Sequence, residues 1–119
     1  MRPHQNLEAW KLSFQFVKDV YTTTAVFPIE EKYGIISQIR RAAVSVPTNI
    51  AEGAARQSQK EFRRFLYISL GSVSELETLL LLAQSLNFIS SEKLSALLLQ
   101  LENVSKTISG LIKKLNTQL

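Results

Sequence analysis

The spacing of apolar residues constrains this chain more than any other feature. Leu7, Trp10, Phe14, Val17 and Tyr21 recur at alternating intervals of three and four, which puts them on one side of a helix. The same rhythm returns in three later stretches, each bounded by turn or capping residues. It predicts a first helix from Leu7 to about Thr24, with Asn6 as its N-cap and Glu8 in its first turn. The β-branched run Thr22–Thr24 and then Phe27-Pro28 end it. A second helix is expected from near Glu30 or Glu31, with Ile35, Ile36, Ile39, Ala43, Val46 and Ile50 on its apolar side. Gly53 and Ser58 mark its end and the next start. Ser58 and Glu61 form a capping box for a third helix reaching about Leu86, with Phe62, Phe65, Leu66, Ser69, Val73, Leu76, Leu80 and Ala83 facing the core. Asn87 suits the terminator, and Ser90 caps a fourth helix to about Leu115. Short connections between helices imply an all-α, up-down-up-down antiparallel four-helix bundle, one domain over residues 1–119.

Pro47 interrupts the second helix. It has no amide proton and its ring crowds the carbonyl of Ala43, so a kink is expected there. Two helices meeting at Ser45–Pro47 is the alternative; the unbroken apolar phase favours one kinked helix. Arg41, Ser45, Asn49 and Glu52 fall on one face of that helix. With the second and third helices antiparallel, Arg41 comes level with Glu75, and Ser72 joins them. These six residues are expected to form an interhelical polar network, with a ligand pocket at the kink as the alternative. Freed carbonyls near Ala43 need donors, and Asn49 is placed to supply one.

Charge is concentrated rather than large. The net charge is +4, and the window from Arg40 to Arg64 holds five of the six arginines. Arg56, Lys60, Arg63 and Arg64 bracket the turn between the second and third helices, a pattern suited to phosphate or carboxylate partners. The alternative is a solvated surface partly paired with Glu52 and Glu61. Phe62 and Phe65, interleaved with these cations, have the phase of core residues.

Catalytic groupings are sparse. His4 is the only histidine and there is no cysteine, so the usual nucleophile and base pairings are missing. Ser90 and Lys93 have an S-x-x-K spacing, better explained by a capping serine. No Glu-x-x-His pair exists for a di-iron bundle. No enzyme activity, metal, cofactor or small-molecule substrate is expected. The absence of cysteine permits a reducing cytoplasm. The start MRPHQNLEAWK lacks the apolar run of a signal peptide, and unbroken apolar runs such as Leu79–Ala83 are short for a bilayer, so no membrane role is expected. With 45% apolar and 20% charged residues the chain is composed like a globular protein. Leu12, Phe16 and Val20 lie off the first helix's seam, and Leu79–Leu82 are apolar all round, which implies a homo-oligomer. Gly71 and Gly110, inside helices, imply close helix contacts.

The chain resembles the four-helix-bundle proteins encoded by intervening sequences of bacterial 23S ribosomal RNA genes. The resemblance rests on Leu7 and Trp10, Phe27-Pro28, Glu31, Gln38-Ile39-Arg40-Arg41-Ala42, and above all Ser45-Val46-Pro47-Thr48-Asn49-Ile50-Ala51-Glu52-Gly53. Arg56, Phe65-Leu66, Gly71-Ser72 and Glu75-Leu76-Glu77 extend it. Ser69-Leu70 stand where Ala-Arg is frequent, which removes one arginine. The resemblance implies rings, commonly pentamers, and no assigned activity. A related group holds nucleic acid in a basic pentameric barrel. The expected function is a non-enzymatic helical binding or scaffold protein, with RNA or DNA as the favoured partner; a protein-binding adaptor is the alternative.

Overall fold

A computed structural model describes residues 2–118. A 3-10 turn at Pro3–Asn6 precedes α1 (Glu8–Thr24), and another at Ile29–Glu31 precedes α2 (Ile35–Ala54). α3 (Gln59–Ser85) and α4 (Ser91–Asn116) follow, and no strand occurs among the described residues. The fold is all-α with four long helices, 46 × 22 × 22 Å in extent. α2 packs most extensively against α3, and α1 touches α2 and α4.

Local chemistry sets most boundaries. Pro3, at the start of the first 3-10 turn, fixes a tight geometry that consumes Asn6, so α1 is capped by extended Leu7 and not by the expected Asn6. At the far end of α1 the three threonine hydroxyls each donate to a carbonyl four residues back, Thr22 to Lys18, Thr23 to Asp19 and Thr24 to Val20, at 2.8–3.2 Å. α2 begins at Ile35, later than Glu30 or Glu31. Glu31 stays outside the helix, and its carboxylate accepts from the Ile35 amide at 3.5 Å. The acid therefore still complements the positive helix end, from the preceding turn. Ser58 and Ser90 cap α3 and α4 through the amides of Glu61 and Lys93. Asn87 adopts φ 65°, while the Asn87 and Phe88 amides reach back to the Gln84 and Ala83 carbonyls at 2.9 Å. That pair of bonds is the Schellman termination that a left-handed residue permits.

The core is built from the inward sides of all four helices. On α1 that side holds Phe16 and Val20, expected to lie off the seam, while the seam residues Phe14 and Tyr21 are exposed, because α1 is rotated to pack Ala9, Phe16 and Val20 inward. Val20, Ile39, Ile50, Leu66, Leu76, Leu80, Leu97 and Ile108 are fully enclosed, and Phe27 and Ile89 from the connecting segments close one end. Gly53 lies one residue before the end of α2, as expected, and also belongs to this packing. A Cβ there would lie 2.7 Å from the Phe65 Cβ and 3.0 Å from the Phe62 ring. Only hydrogen at this position lets α2 and α3 approach. Gly71 and Gly110 differ, because a Cβ at either would meet nothing within 4 Å. The close contacts expected for them are not made within the chain. Gly53→Ala is expected to destabilise the fold by about 1–3 kcal/mol in urea denaturation. Gly110→Ala is expected to stabilise it by about 0.5–1 kcal/mol, since helix propensity alone changes.

Candidate functional site

Pro47 is buried inside α2, and side-chain donors surround it. Thr48 Oγ1 donates to the Val44 carbonyl at 2.6 Å and Asn49 Nδ2 to the Ser45 carbonyl at 2.9 Å. Ser69 Oγ, fully buried on α3, donates to the Val46 carbonyl at 3.0 Å. Ser45 Oγ and Ser72 Oγ lie 2.7 Å apart, and Asn49 Nδ2 also reaches Ser45 Oγ at 3.0 Å. Three successive carbonyls before the proline thus accept side-chain hydrogen bonds. Among the described residues no buried side-chain polar atom is left without a partner. Two serines of α3 hold α2 at the two residues just before the one that cannot donate, Ser69 at Val46 and Ser72 at Ser45.

The expected six-residue network is therefore smaller and differently staffed. Ser45, Asn49 and Ser72 are together. Arg41 and Glu75 are both exposed, and neither makes an ion pair or side-chain hydrogen bond among the described residues. Glu52 turns to Arg56, with 3.2 Å between Oε1 and Nη2. Ser69 joins from the core side, where a buried hydroxyl must find an acceptor. Its helical phase had placed it inward, but only the packing of α3 on α2 aims it at a carbonyl.

Arg40 has the ordered role expected of Arg41. Its Nε donates to Thr24 Oγ1 at 2.9 Å, its Nη2 to the Tyr21 carbonyl at 3.4 Å, and its guanidinium lies 4.5 Å from the Tyr21 ring centroid. A cation at the C-terminal turn of α1 complements that end of the helix dipole. Beside it, a trough of about 390 Å³ runs between α1 and α2. Trp10, Phe14 and Val17 form one wall, and Val44, Pro47 and Ala51 the other. It continues through Val44 and Thr48 into a more polar depression of about 520 Å³ that reaches Arg40, Arg41, Ser45, Asn49 and Glu52.

The second candidate surface lies where α2 passes to α3. Arg56 pairs with Glu52, and Arg64 with Glu61 at 3.6 Å; all four side chains are at least 41% exposed. Both guanidinium groups also lie over the Phe65 ring, at 4.9 and 5.4 Å from its centroid. Arg63 Nη1 donates to Asn116 Oδ1 at 2.9 Å, and Gln59 Nε2 to Gln118 Oε1 at the same distance. These bonds bring the last turn of α4, with exposed Lys113 and Lys114, to this end of the molecule. Sequence reasoning missed those two lysines, because a separation of about fifty residues hides the proximity. Lys60 is exposed and forms no ion pair among the described residues. Arg56, Lys60, Arg63 and Arg64, with Lys113 and Lys114 from the last turn of α4, give this end six cations, and the two carboxylates Glu52 and Glu61 pair with Arg56 and Arg64. Among the described residues no group of three or more His, Cys, Asp or Glu side chains is arranged to hold a metal ion. His4 packs edge-on against Trp10, with ring centroids 5.1 Å apart.

Residues 5–110 match the family described as 23S rRNA-intervening sequence protein. No curated protein matches the chain. Among solved structures, the chain is similar to a protein of unknown function from the S23 ribosomal protein family of Bacteroides thetaiotaomicron. The two superpose with a TM-score of 0.81 at 23% identity, over 88% of this chain and 95% of that one. At that identity the likeness speaks for the fold alone.

Ser69→Ala would leave the Val46 carbonyl short of a buried donor and is expected to lower stability by about 1–2 kcal/mol. Glu75→Ala, at an exposed position without a partner in the chain, is expected to stay within about 0.5 kcal/mol of wild type. Paired chemical denaturation curves measure both.

Proposed function

Because the chain belongs to the 23S rRNA-intervening sequence protein family, matched over residues 5–110, we propose that it is a non-enzymatic, oligomeric helical scaffold that binds nucleic acid through the basic end of its helices. The observation that carries this reading is the convergence of Arg56, Lys60, Arg63 and Arg64 with Lys113 and Lys114 around the α2–α3 turn. The two carboxylates in the cluster are held in solvent-exposed pairs, which contribute little and exchange readily for phosphate. Arg56 and Arg64 lie near the Phe65 ring with side chains 46% and 63% exposed, which leaves guanidinium donors accessible to a phosphate. The cluster has no recognition helix or base-stacking platform, so the contacts are with backbone phosphates and tolerate any sequence.

The architecture belonging to this proposal is an up-down-up-down antiparallel bundle with α2 bent at Pro47. In support, contacts between α2 and α3 run in opposing order, Gly53 with Phe65, Val46 with Ser69 and Ser45 with Ser72. The proposed assembly is a homo-oligomer, a pentameric ring by family resemblance, in a cytoplasmic setting. Repetition of a weak cationic patch around a ring raises avidity without new contacts. An adaptor for an acidic protein is the second reading, because Arg56 and Arg64 already accept carboxylates.

Fluorescence anisotropy with generic single- and double-stranded RNA and DNA tests the proposal at low and moderate salt. Binding is expected to weaken steeply as salt rises. Removing Lys60 and Arg64 together should lower affinity for every sequence and reduce the log–log salt slope by about 0.7–0.9 per cation removed. No binding at low salt would reject nucleic acid and leave the adaptor reading.

A further inference from the structure

α3 has more apolar surface than the core uses. It is the one described helix apolar and long enough to meet the length and composition of a membrane span, yet only 44% of that stretch is buried inside the protein. On its outer side Ile68, Gly71, Glu75, Thr78 and Leu82 recur at alternating steps of three and four, and all five are exposed. That is the pattern of a helix seam with no helix against it in this chain. Gly71 sits in the seam with open space where a Cβ would be. A glycine in mid-helix weakens the helix, and no neighbour within the chain explains it. Close approach by another molecule would.

The trough between α1 and α2 has complementary character. Its walls are apolar, with Phe14 at 50% and Val44 at 39% exposure, and the small side chains of Ala51 and Thr48 line the α2 side. Lys18 lines it, and Arg40 and Arg41 line its polar continuation; none of the three is in an ion pair among the described residues. The α3 seam offers the opposite charge, with Glu75 in its centre and Glu77 beside it, also outside any ion pair among the described residues. α1 and α3 do not pack on each other.

We infer that the α1–α2 trough at Pro47 receives the outer α3 seam of a second copy of this chain, with Glu75 brought to the Arg40–Arg41 side. The inference rests on the homo-oligomer reading and names the surfaces that make it. Contact between two different patches is heterologous, so each copy has one trough and one seam to offer its neighbours, and repetition closes a ring when the rotation permits. A bilayer is the poorer occupant of the seam, because it would desolvate Glu75 and Glu77 with no cation opposite.

The chain has no cysteine, so single cysteines report contacts cleanly. Thr48→Cys and Thr78→Cys chains carrying different tags are co-expressed and treated with a short bis-maleimide. A mixed Thr48→Cys/Thr78→Cys product is expected to dominate. Light scattering should show Val44→Glu and Leu82→Glu reduced to monomer mass with helical circular dichroism retained, whereas Leu99→Glu on α4 stays assembled. If a glutamate variant fails to fold, the cross-link alone decides. Monomeric wild-type protein at micromolar concentration, with or without co-sedimentation on phosphatidylcholine vesicles, would overturn the homo-oligomer reading and this inference with it. Assembled wild-type protein giving only like-with-like cross-links, or none, would overturn the inference and leave the homo-oligomer reading standing.

Discussion

The close approach of α2 to α3 is the constraint on which the rest of the molecule depends. At one end of the pair Gly53 has no side chain, and the Phe62 and Phe65 side chains occupy the space a Cβ would fill. Toward the middle, Ser69 and Ser72 of α3 bond to α2 around Pro47. Backbone groups that a proline disturbs inside a packed helix would be costly without donors. Side-chain donors reach the Val44, Ser45 and Val46 carbonyls beside the proline, partly from α2 itself and partly from its neighbour, and so tie the two helices together there; the Ala43 carbonyl, four residues before Pro47, receives none of them. The result is a helix whose inner side packs tightly while its outer side, next to α1, remains an open trough.

The same pairing places the charges. The turn after Gly53 brings Arg56 back over Phe65, and α3 then carries Lys60, Arg63 and Arg64 past the last turn of α4. The hydrogen bond from Arg63 to Asn116 registers those two helices at the basic end. At the far end of α1, Arg40 fastens α2 to the Tyr21 carbonyl and to Thr24, whose hydroxyl also donates to Val20. Two neighbouring arginines on one helix therefore have different roles. Arg40 is an internal clasp, and Arg41 projects from the outer face.

Much of the fold was legible in the residues because helix periodicity, serine caps and a left-handed asparagine are local. Ser58, Ser90 and Asn87 act through atoms within a few residues of themselves, so their roles follow from chain order. The misplaced start of α2 has a local cause of a subtler kind. Glu31 looks like a first-turn acid and acts as one, but from a preceding 3-10 turn. Asn6 was displaced as a cap by a proline-started turn that ends on it. Gly53 carries the signal of a helix end, and its need for close packing is visible only once two phenylalanines are opposite it.

The candidate sites divide along the same line. Sequence by itself determined four amphipathic helices, a proline in the second, and arginines gathered near one turn, because each depends on spacing along a single helix. It also determined that α3 is apolar beyond one seam. Only the tertiary structure decided that Arg40 and not Arg41 is engaged, that Ser69 meets a carbonyl, and that Lys113 and Lys114 join the basic end. Those outcomes depend on how one helix is rotated and shifted against another. Helical phase narrows that relation to a face, and packing selects the individual atom.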